Sequence, residues 1–128
     1  MTEFEKMRSG EFYDFTQDEL LNSYMRAKKL CARLQTMTFG DDDYREVIEA
    51  LIPGIPQSAT VAPPFHCDHG HGIRLGENVF INYNGTMLDG GLITIGETGV
   101  KRIWQKKTYI WHQSRVMRYL TACAVWLR

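Results

Sequence analysis

The chain has 128 residues, of which 44% are hydrophobic and 23% charged, a size and composition typical of one soluble globular domain. Its formal net charge is zero, and its longest apolar run, residues 122–127, is far shorter than the roughly 20 residues that span a membrane. The three cysteines are widely spaced without a CxxC pair, and the N-terminus is polar and acidic. These features argue against a disulfide framework and a signal peptide and predict a cytoplasmic protein.

Charge is unevenly distributed along the chain. Residues 1–100 hold 8 Lys and Arg against 15 Asp and Glu, whereas residues 101–128 hold 7 Lys and Arg and no acidic residue. All three tryptophans also lie in the second segment. Such asymmetry is typical either of a basic tail that binds an anionic partner or of a segment with a different origin.

Two amphipathic helices are predicted in the N-terminal half. Residues 16–19, Thr-Gln-Asp-Glu, have the pattern of a capping box at a helix start. The apolar residues that follow recur at steps of three and four, and they are Leu20, Tyr24, Ala27, Cys31 and Leu34. The aspartates at 41–43 place negative charge at the start of a second helix, and Pro53-Gly54 ends it. The apolar stripe of this second helix is Tyr44, Val47, Ile48 and Leu51.

From Pro63 onward the helical period gives way to a period of six. The aliphatic residues that define it are Leu75, Ile81, Met87 and Ile93. A six-residue repeat is typical of a β-helix, in which each inward aliphatic side chain stacks on its counterpart in the next coil. Residues 63–96 supply about two such coils. Beyond them one continuation of the register would place Lys101 and Lys107 inside a narrow coil, so the β-helix is predicted to stop.

Residues 65–72, FHCDHGHG, gather three of the four histidines with a cysteine and an aspartate. That composition suggests a metal site. On an extended strand, however, alternate side chains point to opposite faces, so one face would carry His66 and Asp68 and the other Cys67, His69 and His71. One short strand cannot surround a tetrahedral ion, and the sequence has no second ligand cluster. We therefore predict no metal site here.

Three stretches resemble the sugar O-acetyltransferases of the maltose and galactoside acetyltransferase type, a hexapeptide-repeat family with nodulation-type relatives. They are GEFYD at 10–14, RAKKL at 26–30 and APPFHCDHGHGIRLGENVFINYNGTMLDGGLITIG at 62–96. The resemblance covers roughly residues 3–96.

The resemblance implies an α+β fold in three parts. Residues 1–56 would form a small helical cap domain, and residues 57–96 the first coils of a left-handed parallel β-helix. Residues 97–128 would be a divergent basic tail with no counterpart in the family.

The family transfers an acetyl group from acetyl-CoA to a sugar hydroxyl, uses a histidine as general base and assembles as homotrimers. By this resemblance Asp14, Asp68 and Asn82 would contact the sugar acceptor. His69 and His71 stand where the family commonly has tyrosines, so the resemblance places them beside the acceptor pocket.

Several family features are missing from the sequence. Tyr24 stands where the family usually has an acceptor-binding arginine, and the family pattern ends at about Glu97. His112 lies thirty residues after Asn82, the family's usual separation for the base, but its flanking residues do not match, so we assign no catalytic residue. The resemblance therefore implies a truncated or frameshifted member that lacks most of the acetyl-CoA-binding coils. We expect it to be inactive and expect no stable trimer.

The alternative is a non-enzymatic binding module whose basic aromatic tail contacts nucleic acid or an anionic surface. The charge would come from Lys101, Arg102, Lys106, Lys107, Arg115 and Arg118, and the stacking rings from Trp104, Tyr109 and Trp111. No nucleic-acid-binding motif accompanies these residues, which makes nucleic acid the less favoured partner. A salt-dependent mobility shift with nucleic acid would distinguish the two hypotheses.

Overall fold

A computed structural model describes residues 1–96 in full and, beyond them, only the backbone of four short strands. Three helices come first: α1 (Glu3–Ser9), α2 (Asp18–Leu34) and α3 (Tyr44–Leu51). Six strands follow: β1 (Thr60–Val61), β2 (Phe65–Cys67), β3 (Ile73–Leu75), β4 (Val79–Ile81), β5 (Gly85–Met87) and β6 (Ile93–Ile95). The tail strands are β7 (Ile103–Trp104), β8 (Tyr109–His112), β9 (Arg115–Arg118) and β10 (Val125–Leu127).

Helix α1 begins with a capping box. The Thr2 hydroxyl accepts a hydrogen bond from the Glu5 N–H at 3.1 Å, and the Glu5 carboxylate accepts one from the Thr2 N–H at 2.7 Å. The helix ends at Gly10, whose φ of 83° is the left-handed conformation common at helix C-termini. This helix was not predicted as a separate element, and the GEFYD stretch lies largely in the loop that follows it.

The capping box predicted at Thr16 is wrong. Helix α2 begins at Asp18, and Gln17 occupies the N-cap position without a side-chain hydrogen bond. Thr16 lies one residue before the N-cap, and its hydroxyl donates to Asp14 Oδ1 at 2.6 Å. The apolar stripe of α2 is confirmed, since Leu20, Ala27, Cys31 and Leu34 are buried and Tyr24 is half-buried.

Helix α3 follows the prediction closely. All four residues of its apolar stripe are buried, and the helix ends before Pro53-Gly54. Its first residue, Tyr44, connects the helix to the strands, because the buried hydroxyl donates to the Val61 carbonyl at 2.7 Å and accepts from the Val61 N–H at 2.9 Å. Burial raises the pKa of this phenol.

The six strands form three parallel ladders. β1 pairs with β4, β2 with β5, and β3 with β6, and in each pair the partners lie twenty residues apart. One coil of the chain therefore supplies one strand to each ladder, which is the architecture of a parallel β-helix. The apolar side chains of the two coils form one buried cluster with α2 and α3.

The inward positions predicted from the six-residue period are all buried. The register, however, changes after Met87. Ile93 pairs with Ile73, and Leu75 pairs with Ile95. The corner between β5 and β6 contains two more residues than a six-residue step allows, so one coil takes twenty residues and not eighteen. The same enlarged corner occurs one coil earlier, at residues 68–72, which we call the histidine corner.

The tail strands pair antiparallel, in contrast to the coil. β8 pairs with β6 and with β9, and β10 pairs with β4 and with β7. Within residues 1–96 no helix is long and apolar enough to cross a membrane.

Candidate functional site at the histidine corner

The histidine corner is fixed by a carboxylate of the next coil. Asp89, one coil repeat after His69, is fully buried. Its Oδ1 accepts from the backbone N–H groups of Asp68 at 3.1 Å and His69 at 2.8 Å, and its Oδ2 accepts from that of Gly72 at 2.9 Å. Three charge-assisted hydrogen bonds to one buried carboxylate hold the backbone of the corner in a single conformation.

Gly70 brings the same corner against the end of α3. Its φ is 83°, and a Cβ added there would lie 2.1 Å from the carbonyl oxygen of Leu51. The left-handed backbone and the close approach both require glycine.

Ser23 of α2 joins the two histidines of the corner. Its Oγ lies 2.8 Å from His69 Nδ1 and 2.9 Å from His71 Nε2. His69 is 1% exposed and His71 is half-buried. Burial lowers the pKa of both imidazoles below the ordinary value of 6.5, and the positive charge of Arg8 lowers them further. Both rings are therefore neutral near pH 7.

Helix α1 reaches the corner through Arg8. The guanidinium Nη2 lies 2.9 Å from His71 Nδ1, and Nη1 donates to the carbonyl of Gly90 at 3.0 Å and to that of Asp89. The Phe4 ring stacks on the His71 ring, with 5.2 Å between the ring centroids. The Arg8 guanidinium also lies over the Phe4 ring, 5.1 Å from its centroid. One arginine thus links the first helix to both coils.

Aromatic rings surround the imidazoles. Phe4 lies 5.7 Å and Tyr24 6.5 Å from His69 between ring centroids. Phe15 packs edge-on against Tyr24 at 5.3 Å. The cap therefore provides an aromatic wall beside the histidine corner, a surface of the kind that packs against apolar faces of small ligands.

Asp68 lies at the start of the corner beside a lysine of α2. Lys28 Nζ is 3.8 Å from Asp68 Oδ1, donates to the Cys67 carbonyl at 2.9 Å and sits 4.5 Å above the centroid of the Tyr24 ring. Burial raises the pKa of the Asp68 carboxyl, and Lys28 opposes that shift. The side chain of Asp68 keeps 29% of its surface exposed, so its oxygens can accept hydrogen bonds from a ligand.

Behind this pair, Cys31 and Cys67 bring α2 and β2 together. Their sulfur atoms lie 3.9 Å apart, and both side chains are buried. Burial and the neighbouring sulfur raise the pKa of the Cys67 thiol.

Asp14 lies in the exposed loop between α1 and α2. Its carboxylate accepts from the N–H and hydroxyl of Thr16 at 2.9 and 2.6 Å and from Gln17 Nε2 at 2.9 Å. These hydrogen bonds lower the pKa of Asp14 to about 2. The contacts are those of a residue that shapes the turn into α2.

Asn82 also lies at a different corner. It follows β4, whereas Asp68 follows β2, so the two stand at opposite ends of the face built by β2 and β5. Asn82 is half-buried, and its Oδ1 accepts from the Tyr83 N–H at 2.9 Å. Asp68 and Asn82 are therefore not brought together at one corner of this chain.

The opposed facing expected for the histidine-rich stretch is observed within β2 only, because residues 68–72 form a corner in which Asp68 and His71 are both half-buried. His66 is exposed, whereas Cys67 and His69 are buried. Among residues 1–96 no three histidine, cysteine or acidic side chains are grouped in a way that could hold a metal ion. The side chain of His112 and those of the basic and aromatic tail residues lie outside the described residues.

Three residues that contact the histidine corner were missed in the sequence analysis. Asp89 could have been found, because the Leu-Gly and Ile-Gly pairs at 75–76 and 95–96 already give a repeat of twenty, the separation between His69 and Asp89. Ser23 and Arg8 carry no such signal, since their partners are distant in sequence.

Comparison with known proteins identifies this arrangement of cap and coil. Residues 6–54 match the family of the maltose acetyltransferase hexapeptide capping motif. A protein of Staphylococcus aureus strain MRSA252 assigned as an acetyltransferase is 40% identical over 97 residues, which are 73% of this chain and 48% of the relative. In its cap and coil the chain is similar to the hexapeptide-repeat acetyltransferases.

Solved acetyltransferase structures share its fold. A maltose O-acetyltransferase from Clostridium difficile 630 is 30% identical with a TM-score of 0.70, over 77% of this chain and 53% of that protein. A hexapeptide-repeat acetyltransferase from Vibrio cholerae O1 biovar eltor, solved with acetyl-CoA bound, is 36% identical with a TM-score of 0.67, over 75% and 52%. The chain spans about half the length of the curated relatives it matches.

Proposed function

We propose that residues 1–96 are the acceptor-binding part of an acetyl-CoA-dependent O-acetyltransferase that acts on a sugar hydroxyl. The observation that carries this proposal is the extent of the likeness: the cap and the two coils align with the C. difficile maltose O-acetyltransferase at a TM-score of 0.70. In this proposal the coil has the left-handed sense of a hexapeptide β-helix, and the protein is cytoplasmic, where the free thiols of Cys31 and Cys67 persist.

Asp68 is the best supported acceptor contact in this proposal. It is a partly exposed carboxylate beside an aromatic wall and a lysine, and sugars are bound in proteins by such polar groups next to ring faces. Asn82 is a second acceptor contact, whose amide would act from the neighbouring corner. For Asp14 the contacts within the loop favour a turn-forming role, so its contact with the acceptor is the weakest part of the proposal.

The same proposal holds that the 128-residue chain alone does not transfer acetyl groups. Acetyl transfer needs a general base within hydrogen-bond reach of the acceptor hydroxyl and a bound thioester held opposite it. The chain covers only about half of the solved acetyltransferases that it matches, one of which was solved with acetyl-CoA bound. We propose for the same reason that the chain does not form the stable homotrimer of its family.

A chimera tests whether the acceptor side is intact. Residues 1–96 would be joined to the part of the C. difficile maltose O-acetyltransferase that this chain does not match. Thiol release from acetyl-CoA is then measured with maltose, galactosides and glucose. We expect sugar-dependent turnover that falls at least tenfold in the Asp68→Asn variant of the chimera and is unchanged in Glu77→Gln, an exposed residue of a coil turn. A folded chimera that acetylates none of these sugars would contradict the proposal.

A further inference from the structure

Four polar side chains form a continuous hydrogen-bonded chain between the cap and the histidine corner. It runs from Arg8 Nη2 to His71 Nδ1 at 2.9 Å, from His71 Nε2 to Ser23 Oγ at 2.9 Å, and from Ser23 Oγ to His69 Nδ1 at 2.8 Å. Arg8 belongs to α1 and Ser23 to α2, so both helices are connected to the coil by this chain. We call these four residues the latch.

The direction of each hydrogen bond in the latch follows from donor chemistry. A guanidinium only donates, so His71 Nδ1 accepts, and the ring carries its proton on Nε2. His71 Nε2 therefore donates to Ser23, whose own proton is left for His69 Nδ1. His69 accepts at Nδ1 and also carries its proton on Nε2. With both imidazoles neutral, each of the three hydrogen bonds of the latch joins one donor to one acceptor.

A second proton on the His71 ring breaks this pairing of donors with acceptors. Nδ1–H would then face the N–H of Arg8, so two donors and two positive charges would meet where one hydrogen bond had been. Protonation of His69 is less disruptive for hydrogen bonding, because the Ser23 oxygen can accept from both rings. We propose that the latch is acid-sensitive: protonation of His71 releases α1 from the histidine corner. This inference depends on the contacts of the latch alone and not on the proposed function.

The charged and titratable groups around His71 come from every element packed against it. Arg8 of α1 and Arg26 of α2 are positive, His69 shares its corner, and the Asp89 carboxylate comes from the next coil. Asp89 favours protonation of His71, but it is already bound to three backbone N–H groups. Burial and the positive charges lower the pKa of His71 by more than Asp89 raises it. The pKa of His71 therefore lies below 6.5 in the folded protein. Around His69 the corresponding groups are Asp89, Arg8 and Lys28, with burial again dominant.

The sign of the pH dependence follows from this direction. Above pH 6.5 the histidines are neutral in both the folded and the unfolded chain, so the latch has its full strength. As the pH falls below 6.5, the unfolded or released state binds protons that the closed latch excludes, and the closed state loses stability. The loss ends once the pH is below the folded-state pKa of His71.

The hydrogen-bond directions are tested by ¹⁵N NMR of the histidine rings at pH 7.5. We expect His69 and His71 both to carry their proton on Nε2, as the latch requires. Signals are assigned with His71→Gln and His69→Gln variants. An Nδ1–H tautomer at either residue would overturn the inference.

Release of α1 is tested by hydrogen exchange of its amides at pH 7.5 and 5.5, corrected for the intrinsic pH dependence of exchange. We expect protection across Glu3–Ser9 to fall by up to about tenfold at pH 5.5, with a smaller change in α3 as the internal reference. His71→Gln keeps one acceptor for Arg8 and one donor for Ser23 but cannot gain a proton, so the fall should disappear. The exposed His66→Gln is the matched control and should behave as the parent chain does.

Two results would overturn the proposal. One is α1 protection that is equal at both pH values in the parent chain. The other is the same fall in His71→Gln as in the parent. If His71→Gln does not fold, Arg8→Gln replaces it. Loss of the positive charge should make the fall smaller, since burial of the His71 ring alone still lowers its pKa, and an unchanged fall would overturn the proposal.

Discussion

Asp89 is the residue on which the conformation of the histidine corner depends. In Asp89→Asn one carboxylate oxygen becomes an NH₂ group that faces backbone N–H donors, and the remaining hydrogen bonds lose their charge. We expect the free energy of unfolding to fall by about 2–3 kcal/mol, measured by urea denaturation at pH 7.5.

Asp68→Asn is the matched control for that substitution. The Asp68 carboxyl is half-buried and its pKa is raised, so folding does not favour its charged form. The free energy of unfolding of Asp68→Asn should therefore lie within about 0.5 kcal/mol of that of the parent chain. Equal losses in the two variants would show that the position of Asp89 has no special role.

The histidines of the corner should bind zinc no more tightly than micromolar. Both rings already hydrogen-bond to Ser23, and residues 1–96 offer no third ligand grouped with them. Titration calorimetry with zinc at pH 7.5 measures this directly. One stoichiometric site of nanomolar affinity that is lost in His69→Ala would contradict the prediction.

At the residue scale, the sequence predicted which side chains of a strand are buried better than it predicted their hydrogen-bond partners. The alternation of exposed His66 with buried Cys67 follows from strand geometry alone, whereas His69 lies in the corner beyond β2. The partners of those histidines could not be predicted, because Ser23 and Arg8 reach them only after the cap has docked. Whether Asp14, Asp68 and Asn82 contact a sugar stays a prediction.

At the scale of elements, two glycines with the same backbone conformation test how closely α3 approaches the corner. Gly54 and Gly70 have φ values of 81° and 83°, but a Cβ at Gly54 meets nothing within 4 Å, whereas one at Gly70 would meet the carbonyl of Leu51. We expect Gly54→Ala to lower the free energy of unfolding by about 1–2 kcal/mol, the cost of a left-handed alanine.

Gly70→Ala should lower it by clearly more, because the backbone of α3 or of the corner must also move. Urea denaturation of both variants gives the comparison. Equal losses would show that the approach between Gly70 and Leu51 relaxes without cost.

Helices and strands were predicted where local pattern and burial agree. The stripes of α2 and α3 are buried as their periods require. The capping box at Thr16 failed because the helix starts one residue later, with Gln17 at the N-cap. The capping box at Thr2 and Glu5 that starts α1 was overlooked. The six-residue period found the inward residues of the coil but not the enlarged corners, since a period gives no information on where extra residues are inserted.

At the scale of the whole molecule, the helical cap and the coil depend on each other. Two coils provide too little internal stacking to be stable alone, and here α2 and α3 share one buried apolar cluster with them. The α+β order of helices followed by strands could be predicted from the change of period at Pro63 and from the family resemblance. The backbone pairing of the tail strands could not, because their sequence follows neither period.

The most direct test of the account is a coupled thiol-release assay on the 128-residue chain with acetyl-CoA and maltose, galactosides or glucose. Loss of a general base alone typically slows such chemistry by about 10²–10⁴-fold, and loss of the positioned thioester slows it further. We predict no sugar-dependent release above background, either in the parent chain or in His112→Ala. Turnover in the parent chain that disappears in His112→Ala would contradict the account and would make His112 the general base of a complete enzyme.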